Sequence, residues 1–170
     1  FIFPMLQSSA VYEGSYLLGT SIARPLIAKR QIEIAKKEKA FAVSHGCTGK
    51  GNDQVRFELT FKALAPKIDI IAPWRVWDLK SREDCIAYAK KNNISIPVTK
   101  SKPYSCDRNI YHISYEGGIL EDPWTEAPSK MYEMVKNLEK TPNKSTYLTI
   151  SFKNGIPYAL NGKKINPVNL

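Results

Sequence analysis

Apolar positions recur at helical spacing over residues 20–40, where Leu26, Ile27, Ile34 and Ala35 form a stripe behind a Thr20 or Ser21 cap, and the pattern predicts a helix there. Pro25 is close enough to its start to be tolerated in or near the first turn. Phe41-Ala42-Val43 reads as a short buried strand that ends at a polar, glycine-rich loop, Ser44 to Gly51. A second helix is predicted from Asp53 to about Ala65, with Val55, Leu59 and Leu64 on one side and Pro66 ending it. Ile68 to Ala72, mostly β-branched, reads as a second strand. Ser81-Arg82-Glu83-Asp84 carries the capping-box pattern and opens a third helix that runs to about Lys91. Helices and strands alternating at short spacing predict an α/β fold with a parallel sheet. Ligands of such sheets gather beyond the carboxyl ends of strands, where the glycine-rich loop stands.

From about Asn92 the texture changes. Residues 94–130 are rich in proline and poor in regular periods, and Met131 to Leu138 is predicted as a short helix. Tyr147 to Phe152, the Asn154-Gly155 turn and Ile156 to Leu160 then read as a β-hairpin, and Asn161-Gly162 offers a further turn. A domain boundary is expected at 95–105, dividing the chain into residues 1–98 and 99–170.

Composition narrows the classes. A chain of 170 residues is long enough to bury a core, and its length suggests one domain or a little more. No window approaches the roughly 18 apolar residues of a membrane span, so a soluble protein with no membrane partner is expected. The opening FIFPMLQ is short, lacks a basic flank and is broken by Pro4, unlike a signal peptide; it resembles the middle of a protein. Cys47, Cys85 and Cys106 are widely spaced, with only His45 and His112 to help them. That pattern predicts neither a disulfide framework nor a metal site, but small semi-buried thiols in a reducing cytoplasm. The formal charge of +9 is scattered: Lys36, Lys37 and Lys39 near one helix end, Lys90 and Lys91 near another, Lys163 and Lys164 in a turn. Trp74, Trp77, Trp124 and Tyr104 could stack on bases, yet no nucleic-acid motif is present, and solvated lysines with aromatic core or pocket walls are the expectation, with no nucleic-acid partner.

The loop SHGCTGKGNDQVR (Ser44–Arg56) invites comparison with phosphate loops. A Walker-type loop needs four residues between its first glycine and Gly-Lys-Ser/Thr. Only Cys47 and Thr48 separate Gly46 from Gly49, and Lys50 is followed by Gly51 instead of a hydroxyl. A dinucleotide fingerprint fails as well, because Gln54 stands where its third glycine belongs. What remains is a strand, a polar loop and a helix N-terminus near Asn52 and Asp53. Thr48 and the loop N–H groups suit carboxylate or phosphate oxygens. Asp53 presents a carboxylate to an amine, Asn52 both donor and acceptor, and Arg56 a planar fork to a carboxylate. Opposite charges aimed into one cleft suit a zwitterion such as an amino acid. The plainer alternative is a turn that needs glycine for its backbone angles, with Asp53 as a mere cap. His45, with no acidic partner visible beside it, reads as a packed or hydrogen-bonded ring more than a catalyst.

The runs YLLGTSIARPLIAK (Tyr16–Lys29), SHGCTGKGNDQVRFEL (Ser44–Leu59), IAPWR (Ile71–Arg75), KPYSCDRN (Lys102–Asn109) and HISYEGGILEDPW (His112–Trp124) closely resemble argininosuccinate synthase, in the right order along the whole chain. The resemblance covers the middle of that family's longer protein. It implies a parallel sheet of the adenine-nucleotide α-hydrolase-like (PP-loop ATP pyrophosphatase) type over residues 1–98, followed by the start of an α+β synthetase domain over 99–170. The implied reaction joins citrulline to aspartate with ATP through a citrullyl-adenylate, releasing AMP and pyrophosphate, as in arginine biosynthesis and the urea cycle.

By the same resemblance Tyr16, Ser21, Asn52, Arg56, Ser105 and Ser114 contact citrulline, with Arg24 a further candidate. Thr48, Asn52 and Asp53 contact aspartate, and Gly46 with the neighbouring backbone of His45 and Cys47 lies against ATP. Asp53 and Asn52 are the residues expected at the reacting groups. ATP is a co-substrate accompanied by Mg, no metal site is expected in this chain, and a cytoplasmic homotetramer is implied. Cys47 stands where alanine is expected in the family and Cys106 where methionine is expected. The family's Ser-Gly-Gly-x-Asp-x-Ser phosphate loop does not occur in these residues, so turnover by them alone is not expected. Another adenylating ligase of the same superfamily, with a different acceptor, is the alternative.

Overall fold

The computed structural model describes residues 1–49, 51–79, 81–96 and 104–170, and the chain forms two compact units: Gly19–Pro103, and Phe1–Leu18 together with Tyr104–Leu170. Lys50, Pro97, Lys102, Pro103 and the expected boundary at 98 and 99 lie outside the described residues. The helices are α1 (Ile2–Gln7), α2 (Gly19–Lys37), α3 (Asn52–Leu64), α4 (Pro73–Val76) and α5 (Arg82–Lys91). The strands are β1 (Ala42–Ser44), β2 (Asp69–Ile71), β3 (Ser105–Arg108), β4 (Ile113–Glu116), β5 (Ile150–Lys153), β6 (Ile156–Leu160) and β7 (Lys163–Lys164).

In the unit Gly19–Pro103, β1 and β2 pair in parallel, with Val43 opposite Ile70, and α3 makes the crossover between them. The fold class is α/β as expected, with small sheets. Its core joins Ala28, Ile32 and Ala35 of α2 to Val43, Phe61 and Ile68, with Phe57, Ala65 and Ile70 packed against them.

Both long helices turn a different face inward from the one their bulkiest aliphatic residues suggest. Ala28, Ile32 and Ala35 recur at helical spacing and are buried, whereas Leu26, Ile27 and Ile34 are largely exposed. On α3 the inward pair is Phe57 and Phe61, four apart with ring centroids 5.9 Å from each other, while Val55, Leu59 and Leu64 face out. The reason is steric: alanine at 28 and 35 allows close approach, and the large Phe61 ring fills the space. Phe41, expected in the first strand, lies outside β1 and is exposed.

Punctuation by small polar residues follows expectation more closely. The Ser81 hydroxyl accepts from the Asp84 N–H at 3.0 Å while Asp84 accepts from the Ser81 N–H at 2.9 Å, a complete capping box. Helix α3 stops at Leu64, ahead of Pro66, and Lys36 donates to the Leu64 carbonyl at 2.9 Å, a cation placed at the negative helix end. Pro25, by contrast, falls beyond the first turn because α2 starts at Gly19. It has no N–H to give the Ser21 carbonyl, which lies four residues back.

The other unit is built of hairpins. Strands β3 and β4 pair antiparallel, and the Asn109 side chain accepts from the N–H groups of Tyr111 and His112 to shape the connection. Strands β5, β6 and β7 form a three-stranded antiparallel sheet, β6 in the middle. Asn154-Gly155 and Asn161-Gly162 all have positive φ, as a tight hairpin turn requires. Pro157 in the central strand is accommodated beside a register shift at Ser151 and Phe152. Lys163 and Lys164 therefore lie in β7, not in a turn. The helix expected over Met131 to Leu138 is replaced by 3₁₀ turns at Ser129–Met131 and Leu138–Lys140. Only Met131 is buried, and with Met134, Val135 and Leu138 exposed no apolar face supports a helix there.

The corrected helix faces predict contrasting variants. Phe61→Ala should cost about 3–5 kcal/mol of stability in urea unfolding, as for other buried phenylalanines. Leu59→Ala, at a position 67% exposed, should change it by less than ~0.5 kcal/mol. Equal losses would restore the face drawn from the aliphatic stripe.

Candidate functional site

Strand β1 delivers the chain to the site in a fixed direction. The Ser44 hydroxyl donates to the Ile71 carbonyl at 2.9 Å, the His45 N–H donates to the same carbonyl at 3.2 Å, and Gln31 of α2 donates to the Ser44 carbonyl at 2.8 Å. Beyond this anchor Gly46, Thr48, Gly49, Gly51 and Asn52 are exposed. A Cβ on Gly46 would meet nothing within 4 Å, so the face of the loop there is open. Gly51 is the N-cap of α3 and brings no side-chain cap, which leaves the first-turn N–H groups to other acceptors.

Asp53, in that first turn, sits between two guanidinium groups. Arg24 of α2 donates through Nε to Oδ2 at 2.9 Å, and Arg56 of α3 donates through Nη1 to Oδ1 at 2.9 Å. The site predicted as a carboxylate facing an amine is thus a cluster of one carboxylate and two arginines, partly shielded from water. Two guanidinium groups beside one carboxylate bring donors suited to ligand carboxylate or phosphate to the start of α3. Thr48 and Asn52 stand in the same loop-to-helix connection, and Ser21 lies in the first turn of α2, one turn before Arg24.

The acidic partner that the sequence did not reveal for His45 is Glu58. The His45 side chain is 3% exposed, and its Nε2 lies 2.8 Å from Glu58 Oε1. Its Nδ1 accepts from the Cys47 N–H at 3.3 Å, so Nε2 carries the proton and donates it to the carboxylate. The ring also stacks near Phe57, with centroids 5.9 Å apart. Arg75, from α4, reaches Glu58 at 2.7 and 3.0 Å and donates to Gln54 Oε1 at 2.9 Å; Gln54 in turn donates to the Gly49 carbonyl at 2.8 Å. Gln54 and Glu58 stand four apart on α3, a spacing that places them on one face. That His45 and Arg75 converge on that face required the fold. Trp74 packs at the loop too, its ring 3.5 Å from where a Gly49 Cβ would be.

Burial raises the Glu58 pKa, but hydrogen bonds from His45 and Arg75 outweigh it and hold the carboxyl below its ordinary 4.5. Burial, followed by the charge of Asp53, pushes the Cys47 thiol up, so it is neutral at physiological pH. Of the cysteines, Cys47 and Cys85 are partly buried as expected, whereas Cys106 is exposed.

The remaining predicted residues lie in the hairpin unit. Tyr16 closes a tight turn with Tyr12 and meets the His112 ring edge-on at 5.4 Å. Ser105 pairs with Glu116 and Ser114 with Asp107, so the two serines and two carboxylates share one face of the β3–β4 ribbon.

The depressed Glu58 pKa fixes the sign of a pH dependence. A group with its folded pKa below its unfolded one contributes stability that is complete above the unfolded value and lost as pH falls through the folded value. Urea unfolding should therefore show wild type more stable than Glu58→Gln at neutral pH, with the difference shrinking as pH drops below 4.5. A difference that grows on acidification would contradict the assignment.

The family model for the arginosuccinate synthase N-terminal HUP domain matches residues 1–95, and that for the arginosuccinate synthase C-terminal domain matches residues 104–170. The chain is 62% identical over its full length to the argininosuccinate synthase of Pelobacter propionicus, and 61% identical to those of a Thermoanaerobacter species and of Geobacter sulfurreducens. It spans 42% of the length of each of these relatives. With both parts of the chain matched by models of one family, the chain belongs to the argininosuccinate synthase family.

Proposed function

We propose that the protein is an ATP-dependent carbon–nitrogen ligase that condenses citrulline with aspartate to give argininosuccinate, AMP and pyrophosphate. The observation that carries the proposal is the meeting of Thr48, Asn52, Asp53 and Arg56 where β1 gives way to α3, in a chain of this family. In the first step the ureido oxygen of citrulline attacks the α-phosphate of ATP and pyrophosphate leaves. In the second the aspartate amine attacks the activated ureido carbon and AMP leaves.

Arg56 is assigned to the citrulline carboxylate, together with Ser21, Tyr16, Ser105 and Ser114, and Asn52 to both amino acids. Thr48 and the first-turn N–H groups of α3, which the N-cap Gly51 does not cap with a side chain, suit an aspartate carboxylate. Asp53 orients the attacking amine, its carboxylate held in place by hydrogen bonds from Arg24 and Arg56. Gly46 offers an open backbone to the nucleotide. The His45 ring is committed to Glu58, so its contact with ATP, like that of Cys47, is assigned to backbone. Catalysis by holding two reactants in line can supply about 7–11 kcal/mol of barrier lowering, and donors aimed at phosphoryl oxygens add to it.

The same proposal takes residues 1–98 as nucleotide-binding domain with a parallel sheet of the α-hydrolase-like type, which the parallel β1–β2 pair supports, and 99–170 as the start of a synthetase domain. Mg is assigned to accompany the ATP phosphates. A homotetramer in the cytoplasm completes the assignment; among the described residues no helix is long and apolar enough to cross a membrane.

In the whole protein, pyrophosphate release should require ATP and citrulline, and argininosuccinate formation should require aspartate as well. Asp53→Asn should retain citrulline-dependent exchange of pyrophosphate into ATP while losing most coupling to aspartate. Normal coupling in that variant would remove Asp53 from its role, and wild-type protein without citrulline-dependent pyrophosphate release would overturn the activity.

A further inference from the structure

Thr48 is flanked by two backbone groups that are each held by a side chain. The Cys47 N–H donates to His45 Nδ1 at 3.3 Å, and the Gly49 carbonyl accepts from Gln54 Nε2 at 2.8 Å. These anchors are the two ends of one chain of polar contacts. His45 joins Glu58 at 2.8 Å, Glu58 joins Arg75 at 2.7 and 3.0 Å, and Arg75 joins Gln54 at 2.9 Å. Loop and side chains together close a ring, with Glu58 opposite Thr48.

We infer that Glu58 is a positioning residue which, through His45 on one side and Arg75 with Gln54 on the other, fixes the conformation of Cys47-Thr48-Gly49 and so sets affinity for the aspartate substrate. The inference rests on Thr48 contacting aspartate, as proposed above. Glu58 is suited to the role because both of its neighbours are donors: a bare Nδ1 on His45 puts the proton on Nε2, and Arg75 has only donors. A carboxylate accepts from both at once. An amide in its place offers one oxygen, and its NH₂ would confront a donor on the other side, so Glu58→Gln breaks half the ring while keeping the shape. Glu58 touches neither Thr48 nor the Asp53 cluster through any of these bonds, so its effect passes through the loop.

The test uses the whole protein with Glu58→Gln, Gln54→Ala and the double variant, reading KM for each amino acid, thermal unfolding, and hydrogen exchange of the Cys47 amide. Each single variant should raise KM for aspartate on the order of 10-fold, the worth of one partly buried hydrogen bond, with KM for citrulline little changed and, in Glu58→Gln, only the loss of stability at neutral pH already expected from its lowered pKa. The double variant should be no worse than the worse single one, because both act in one ring. Cys47 exchange should quicken in Glu58→Gln. Unchanged exchange, multiplicative single effects, or a parallel rise of both KM values with a fallen melting temperature would each overturn the role of Glu58. Faster exchange with an unaltered KM for aspartate would instead overturn the Thr48 contact on which the inference rests.

Discussion

Close contact between α2 and α3 governs the rest of the Gly19–Pro103 unit. Ala28 and Ala35 present almost no side chain, and the Phe61 ring is fully buried in the same core. Packing at this density fixes the rotation of both helices, because turning either one would expose the ring or drive Ile32 into it. The polar consequence appears at the other end of the same helices. With the rotation fixed, Arg24 is presented to Asp53, and Gln54, Arg56 and Glu58 are presented to the loop. A core of small and aromatic residues thereby sets the geometry of the charged groups beyond it, with the His45 ring, stacked near Phe57 and Phe61, as the link to Glu58.

Charge around the loop is arranged as two separate compensations. Asp53 is balanced by Arg24 and Arg56, and Glu58 by Arg75 and the neutral donor His45. The side chains of the first cluster are all partly exposed, whereas in the second an exposed Arg75 and a buried His45 ring flank Glu58. Polar contacts shielded as at His45 are stronger per bond and costlier to leave unpaired.

Features that depend on local chemistry were legible in the sequence: the capping box at Ser81, the helix stop before Pro66, the two Asn-Gly turns and the strand-loop-helix at Ser44 to Asp53. Each is decided within a few residues. Which face of a helix is buried is decided by a partner distant in sequence, and there the aliphatic stripe misled, since α2 buries Ala28, Ile32 and Ala35 and leaves Ile27 and Ile34 outside. The Met131–Leu138 segment failed for the same reason: its apolar residues lack a buried face. In the candidate site, Thr48, Asn52, Asp53 and Arg56 were recognisable because they are neighbours in sequence. Glu58 and Arg75 were missed because their meaning comes from His45, brought beside them by the parallel pairing of β1 and β2.

Gly46 illustrates how folding and ligand contact can be separated at a single position. No described atom lies within 4 Å of the place its Cβ would take, and its φ is outside the range that L side chains avoid. The described residues therefore impose no steric demand for glycine there. Intolerance of a methyl group at residue 46 would point beyond the described residues, to a molecule that the loop receives or to another part of a longer protein, which makes that position a gauge of what approaches the loop.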